Sequence, residues 1–308
     1  MKRLVRKTYR LKDFFKNDIW ELDLEEFSKA KARAIKYLKV AAITIKTFSS
    51  EKIGFQAVAL SFFSTMSVVP FVAIIFAITD GFGIAEPLKD LLYQYFDNSQ
   101  QTIDMILGFA QNIIDTAKSS TIGLFSALLF AWIVVWMMMN VEKVFNNVWK
   151  VRKSRNIFKR LSFILALVIL SPFVVMVFFA GSFIYSNALE YLGLDYAGLT
   201  AFKTLLTWLL FAIVVSLTLS AMYKFIPNAR VKYRSAFQAS IPAALVFTLV
   251  QYTYLETQVF VTRLSTVFGA FAAVPLFMVW INIGWFIILI GAELAYAFQN
   301  VDSYNIEN

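Results

Sequence analysis

Eight polar side chains interrupt the apolar segments of this sequence, and they are the residues best placed to do chemistry. A carboxylate or amide inside an apolar segment is costly, so such groups commonly mark pathways for ions or polar substrates. The set predicts a polar pathway among helices. It consists of one serine, five amides and two carboxylates, namely Ser64, Gln56, Asn140, Gln238, Gln251, Asn282, Glu142 and Glu293.

Several of these residues also have a structural interpretation. Ser61, Ser64 and Thr65 share one helix face, and small hydroxyl residues at this spacing often serve helix packing. Glu142 precedes a basic loop, where it could act as a topological anchor. Glu293 could cap a basic loop or contribute to the pathway. The sequence leaves both interpretations open.

Glu256 and Arg263 are the two charges in an otherwise uncharged stretch after Gln251. We predict that they form an ion pair near the outer interface.

The chain contains no histidine and no cysteine. These absences exclude thiolate zinc sites, disulfides and any imidazole base. The sequence therefore predicts no enzyme, no metal site and no cofactor.

The composition indicates where the polar groups must function. Hydrophobic residues make up 59% of the 308 residues and charged residues 16%, against about 25% charged in soluble domains. A soluble globule could not bury so much apolar surface. We therefore predict an all-α, polytopic membrane protein.

Six segments are long enough to cross a hydrocarbon core, which takes about 20 helical residues. We place these predicted spans at Ile53–Thr79, Thr121–Asn140, Phe158–Tyr185, Thr204–Ile226, Ala236–Leu255 and Ala272–Phe298. The first fifty residues are basic and broken by charges, which predicts that no cleaved signal peptide is present.

Lysine and arginine counts predict the orientation. Of the 29 in the chain, the region up to Lys52 holds 14, Val141–Arg160 holds 7 and Lys224–Arg234 holds 4. Under the positive-inside rule these regions face the cytoplasm, which places both termini inside. The net charge of +9 then reflects topology and attraction to anionic lipid headgroups at the basic arm and cytoplasmic loops, and we predict no nucleic-acid partner.

Two regions outside the spans also show helical periodicity. Residues 1–52 form a basic arm with an amphipathic stripe, which predicts a helix that lies along the cytoplasmic interface or packs on the bundle. This stripe is Phe27, Ala30, Ala34, Leu38, Ala41, Ile45 and Phe48. Residues 86–115 predict an outer helical hairpin that could be a lid, a partner surface or a packing element. The predicted domains are the arm, a six-helix membrane domain at 53–298 and a cytoplasmic tail at 299–308.

The chain also resembles the YihY/virulence factor BrkB family between Phe55 and Phe298. The resemblance rests on Trp132 through Trp149, on Tyr223–Asn228, on the run from Ser235 through Tyr254, and on Phe268–Leu276 followed by Trp280 and Ile290–Glu293. It implies a six-span protein of the bacterial inner membrane.

Family members have been called ribonuclease BN and have been discussed as transporters or envelope-lipid factors. The missing histidines and the separated carboxylates argue against ribonuclease activity here. We predict a transporter or lipid translocator with a polar cavity. The alternative is a non-catalytic scaffold for envelope assembly, with a homo-oligomer or an envelope protein as partner.

Overall fold

Every regular element that can be described in this chain is an α-helix. A computed structural model describes residues 27–50, 52–95, 100–119, 121–151, 155–156, 158–170, 173, 200–268 and 273–304. The prediction of an all-α membrane protein is confirmed. The helices are α1 (Lys29–Ser50), α2 (Ile53–Gly81), α3 (Ala85–Tyr95), α4 (Gln100–Ser119), α5 (Thr121–Val148), α6 (158–170), α7 (Thr200–Phe225), α8 (Tyr233–Phe268) and α9 (Ala273–Asn300).

Four helices within the described residues are long and apolar enough to cross a membrane. They correspond to the first, second, fourth and sixth predicted spans. Half of the third predicted span lies outside the described residues. The fifth falls within α8, which is more polar and continues past the predicted end to Phe268. The count of six spans stays a prediction.

Helix α9 is at the centre of the bundle, where it packs against α1, α2, α5, α7 and α8. Alanines at the crossing points, including Ala57, Ala239 and Ala292, are fully buried and allow close approach of the helix backbones. Large apolar side chains face outward, as expected for a surface covered by lipid acyl chains. They include Phe55, Phe125, Trp132, Leu205 and Leu249.

The hairpin of α3 and α4 packs on the bundle through its apolar stripes. Leu88 and Ile114 are buried against Ala73, Ile75 and Phe76 of α2. This contact supports the packing role among the three roles that the sequence left open.

A side-chain hydrogen bond joins the two helices of this hairpin. The phenol of Tyr93 donates to Oδ1 of Asp104 at 2.6 Å. This bond raises the pKa of Tyr93 above its usual 10.0, because ionisation would break the bond and bring two negative charges together. Since the folded-state pKa is raised, this contribution to stability is present below pH 10 and is lost as the pH rises through the folded-state value.

We expect Asp104→Asn to lower the pKa of Tyr93 toward its usual value. A tyrosinate absorbance titration compares the variant with the parent protein, and Tyr93→Phe identifies which part of the curve belongs to this residue. Superimposable curves for Asp104→Asn and the parent would contradict the assignment.

Helix α1 packs against the last turns of α9. Val40 and Ile43 are buried against Ala297 and Val301. Packing on the bundle was one of the two arrangements that the sequence predicted, and association with the membrane interface stays a prediction.

Candidate functional site

The polar residues of the bundle concentrate where the carboxyl ends of α5, α7 and α9 meet the start of α8. We call this region the basic end, because the described cations of residues 141–160 and 224–234 lie in or beside it. Trp149 after α5 packs edge-on against Tyr296 of α9, with ring centroids 5.7 Å apart. The sequence predicts that this end faces the cytoplasm.

A buried ion pair joins α5 to α6 at the basic end. Nε of Arg160 lies 2.9 Å from Oε2 of Glu142, and Glu142 is only 4% exposed. The N–H does not point directly at the oxygen, so the contact is an ion pair rather than a hydrogen bond. Asn146, one turn along α5, donates a long hydrogen bond of 3.4 Å to Oε1 of Glu142. The predicted anchor role of Glu142 agrees with this geometry, with Arg160 as its partner.

The loop between α7 and α8 is held by side chains from three other parts of the chain. The backbone N–H of Asn228 donates to Oδ1 of Asn146 at 2.7 Å. Nη2 of Arg155 donates to the carbonyls of Phe225 at 2.8 Å and Pro227 at 3.2 Å.

Gln299 near the end of α9 holds the same loop from another direction. Its Oε1 accepts from the backbone N–H of Lys232 at 2.7 Å, and its Nε2 donates to the carbonyl of Arg230 at 3.1 Å. These bonds satisfy backbone groups that the ends of α7 and α8 leave without helical partners. The loop is therefore fixed relative to α5, to the segment that precedes α6, and to α9.

Two sequence motifs that carried the family resemblance meet directly in the core. Tyr223 of α7 is fully buried and packs against Gly291 of α9. A Cβ at position 291 would lie 2.0 Å from the Tyr223 hydroxyl oxygen and 2.8 Å from Cβ of Ala243. The glycine is needed for space, because no side chain fits between these three helices.

Glu293 lies two residues beyond this contact and is 0% exposed. Leu289, Ala292 and Ala295, its neighbours on α9, are fully buried in the main apolar core. The sequence left open whether Glu293 caps a loop or belongs to a pathway. Its burial favours a position inside the bundle over one at the loop surface.

Two tryptophans of α9 bind predicted pathway residues. Nε1 of Trp285 donates to Oγ of Ser64 on α2 at 2.8 Å, in a buried site. Nε1 of Trp280, further toward the start of α9, donates to Oε1 of Gln251 on α8 at 3.2 Å. Both bonds connect α9 to a neighbouring helix.

We expect Ser64→Ala to lower the free energy of unfolding by about 1–3 kcal/mol, because the buried Trp285 N–H loses its acceptor. Ser61→Ala is the matched control. The Ser61 hydroxyl bonds to Val58 of its own helix at 2.7 Å, so its loss should cost about 1 kcal/mol or less. Unfolding of both variants in one detergent gives the comparison, and equal losses would contradict the prediction.

The remaining predicted pathway residues are only partly buried. Asn140 donates to the carbonyl of Trp136 in its own helix at 2.8 Å. Gln56, Gln238 and Asn282 are half-buried. The hydrogen bonds described above do not join Ser64, Glu142 and Gln251 into one network, since each has a different partner. The side chains of Glu256 and Arg263 lie outside the described set, so their ion pair stays a prediction, and both positions fall within α8.

The sequence identifies several of the buried polar residues but not the partners that they bind. Arg155 and Arg160 were counted only toward topology, because they lie in a run of cations. Gln299 and Trp285 were not selected. A tryptophan N–H within an apolar segment needs an acceptor, and this requirement was the available signal for Trp285.

The chain matches the family described as Virulence factor BrkB over residues 44–308. It is 30% identical over 269 residues to a UPF0761 membrane protein of Paraburkholderia xenovorans, covering 84% of this chain and 59% of the relative. A UPF0761 membrane protein of Chlorobium limicola is 29% identical, with 88% and 60% covered. One from Haemophilus influenzae is 25% identical, with 83% and 93% covered.

The chain thus spans about three fifths of the length of the first two relatives. No solved structure matches it.

Proposed function

Because the chain belongs to the Virulence factor BrkB family of integral membrane proteins, we propose that it translocates a lipid or a similar amphiphile across its membrane. The observation that carries the proposal is Glu293, a carboxylate with no exposed surface on the helix that contacts five others. Ionisable groups buried in membrane bundles commonly belong to substrate or proton pathways.

An amphiphile fits the distribution of polar groups better than a fully hydrated solute does. Ser64, Gln251 and Glu293 lie on three different helices, α2, α8 and α9, among mostly apolar neighbours in sequence. A lipid headgroup needs only intermittent polar contacts, since its acyl chains remain in the bilayer. The cations of the basic end, among them Arg230 and Lys232, would attract a phosphate headgroup.

The test uses the full chain in proteoliposomes that contain fluorescent phosphatidylglycerol or phosphatidylethanolamine. Dithionite bleaches only the outer leaflet, so translocation appears as additional loss of fluorescence. We expect Glu293→Gln to slow translocation at least about tenfold, the equivalent of ~1.4 kcal/mol in barrier height. Asp302→Asn is the control, because Asp302 forms an exposed ion pair with Lys36.

Each variant must first match the parent in size-exclusion profile and unfolding temperature. Bleaching equal to that of protein-free vesicles with both lipids would overturn the proposal. A normal rate in folded Glu293→Gln would remove Glu293 from the pathway.

The envelope-scaffold alternative required an exposed apolar patch on the hairpin. Phe109 is 54% exposed, whereas Leu88 and Ile114 pack inward. These contacts do not favour the scaffold over translocation.

A further inference from the structure

Helix α1 uses the face opposite to the predicted one for packing on the bundle. The residues buried against α9 and its surroundings are Lys39, Val40, Ile43, Thr44 and Thr47. Three of these five are polar. Thr44 and Thr47 turn their hydroxyls to carbonyls of their own helix, to Val40 at 2.9 Å and Ile43 at 2.8 Å, which makes burial of this face possible.

Most of the apolar stripe that the sequence predicts for α1 is left exposed. Five of its members within the helix are exposed, and we call these five the α1 stripe: Ala30, Ala34, Leu38, Ala41 and Ile45. The sixth, Phe48, is half-buried, and its ring packs edge-on against that of Phe286 of α9, with centroids 5.1 Å apart. At about 100° per residue, this α1 stripe lies on the far side of the helix from Val40 and Ile43. Ile45 is 71% exposed, and Tyr37 beside the stripe is 55% exposed. A contiguous exposed apolar face is a candidate site for a second partner.

The charges around the α1 stripe are all positive. Lys31 and Arg33 are exposed beside it, Lys46 is exposed between it and the packed face, and no acidic residue occurs from Lys29 to Ser50. The Lys46 ammonium lies 5.6 Å from the centre of the Tyr304 ring, which holds it beside the helix. Basic residues beside an apolar stripe, with tyrosine at its edge, are the features of a helix that binds anionic lipid at the membrane interface.

The α1 stripe also leads into the outward-facing surface of the bundle. Lys52, with a left-handed φ of 50°, joins α1 to α2. Helix α2 then continues with exposed Phe55, Val58 and Phe62. A second copy of α1 would face these cations with like charges, so the charge pattern disfavours a homodimer through this face.

We infer that α1 is a two-sided interfacial helix: one face is fixed to α9, and the α1 stripe with its flanking cations binds the anionic phospholipid surface. This assignment is independent of translocation. It gives the basic arm a specific lipid-binding element and predicts that the arm distinguishes anionic from zwitterionic membranes.

The absence of native cysteine allows clean single-site labelling of the full chain. Ile45→Cys and Ser303→Cys each carry an NBD fluorophore, and the proteins are reconstituted in nanodiscs of phosphatidylcholine with or without phosphatidylglycerol. Ser303 is the matched control, because it is exposed just beyond the end of α9 and outside the α1 stripe. Quenching by doxyl-labelled lipid reports contact with lipid, and quenching by iodide reports contact with water.

We expect lipid quenching at position 45 to exceed that at position 303 by about threefold or more in anionic nanodiscs. The combined variant Lys31→Gln, Arg33→Gln and Lys46→Gln should lose most of the increase that phosphatidylglycerol produces, since each cation near the surface contributes to attraction.

Three outcomes would overturn the inference. Equal iodide quenching at both positions would show that the α1 stripe faces water. A label at position 45 shielded from both quenchers would mean that protein covers the stripe, either residues 1–26 or a second copy. Lipid quenching that is the same with and without phosphatidylglycerol would remove the anionic specificity. Unfolding temperatures matched to the parent exclude misfolding as the cause.

Discussion

Glu142→Gln is expected to lower the free energy of unfolding by about 3 kcal/mol, because the Arg160 guanidinium would remain largely buried without its counter-ion. The Arg160 side chain is 15% exposed, which places the effect at the lower part of the range known for broken buried pairs. The change keeps the size of the side chain and an oxygen that can accept from Asn146. It therefore isolates the charge.

The exposed pair of Lys36 and Asp302 provides the matched control. Its Nζ–Oδ2 distance is 2.8 Å, close to the 2.9 Å of the buried pair, but the two side chains are 39% and 69% exposed. Asp302→Asn should change stability by about 0–1 kcal/mol. Chemical unfolding in one detergent measures both variants.

A double variant separates the ion pair from other effects of substitution. Glu142→Gln combined with Arg160→Met should recover much of the single-variant loss, because no buried charge remains unpaired. If Glu142→Gln and Asp302→Asn cost the same, or if the double variant is simply the sum of its parts, the pair does not stabilise the fold as argued.

Gly291→Ala is expected to destabilise the bundle by at least about 1–3 kcal/mol, the range for overpacked cores, and to reduce the yield of folded protein. The added Cβ would lie 2.0 Å from the Tyr223 hydroxyl oxygen, and the tyrosine is fully buried between helices. Moving the ring would require α7 and α9 to separate at the point where α8 also packs.

Gly284→Ala is the matched control on the same helix. Its Cβ would lie 3.6 Å from the Phe247 ring, an ordinary van der Waals contact, so this change should be near neutral or slightly stabilising. Combining Gly291→Ala with Tyr223→Phe removes the closest clash and should restore part of the lost stability. The recovery should be incomplete, because the contacts at 2.8 Å with Cζ of the ring at position 223 and with Cβ of Ala243 remain. Unfolding temperatures measure all three variants, and equal effects of the two alanines would show that the core adapts at Gly291.

Much of the helical fold could be predicted from the sequence. The length of an apolar segment and the charges at its ends depend only on residues within that segment and beside it. The hairpin and the basic arm were likewise predicted from local periodicity. The length of α8 was not predicted, because the residues after Leu255 have the composition of a polar connection, yet they continue the helix to Phe268.

The candidate site was less accessible to prediction. The resemblance picked out Tyr223 and Gly291 as members of two motifs, yet their contact across α7 and α9 has no local signal. Arg160 could not be told apart from neighbouring cations, since its ion pair depends on how α6 lies against α5.

The orientation of α1 on the bundle also separates what the sequence determines from what only the tertiary structure decides. Sequence alone determined that α1 is an amphipathic, basic helix, because periodicity follows from 3.6 residues per turn. Only the tertiary structure decided that Val40, Ile43 and Thr47 pack inward while the α1 stripe points away. Helix packing depends on the shape of the partner surface as well as on apolar content, and the ends of α9 and α1 fit through small and β-branched side chains. The residues of one segment do not contain that information.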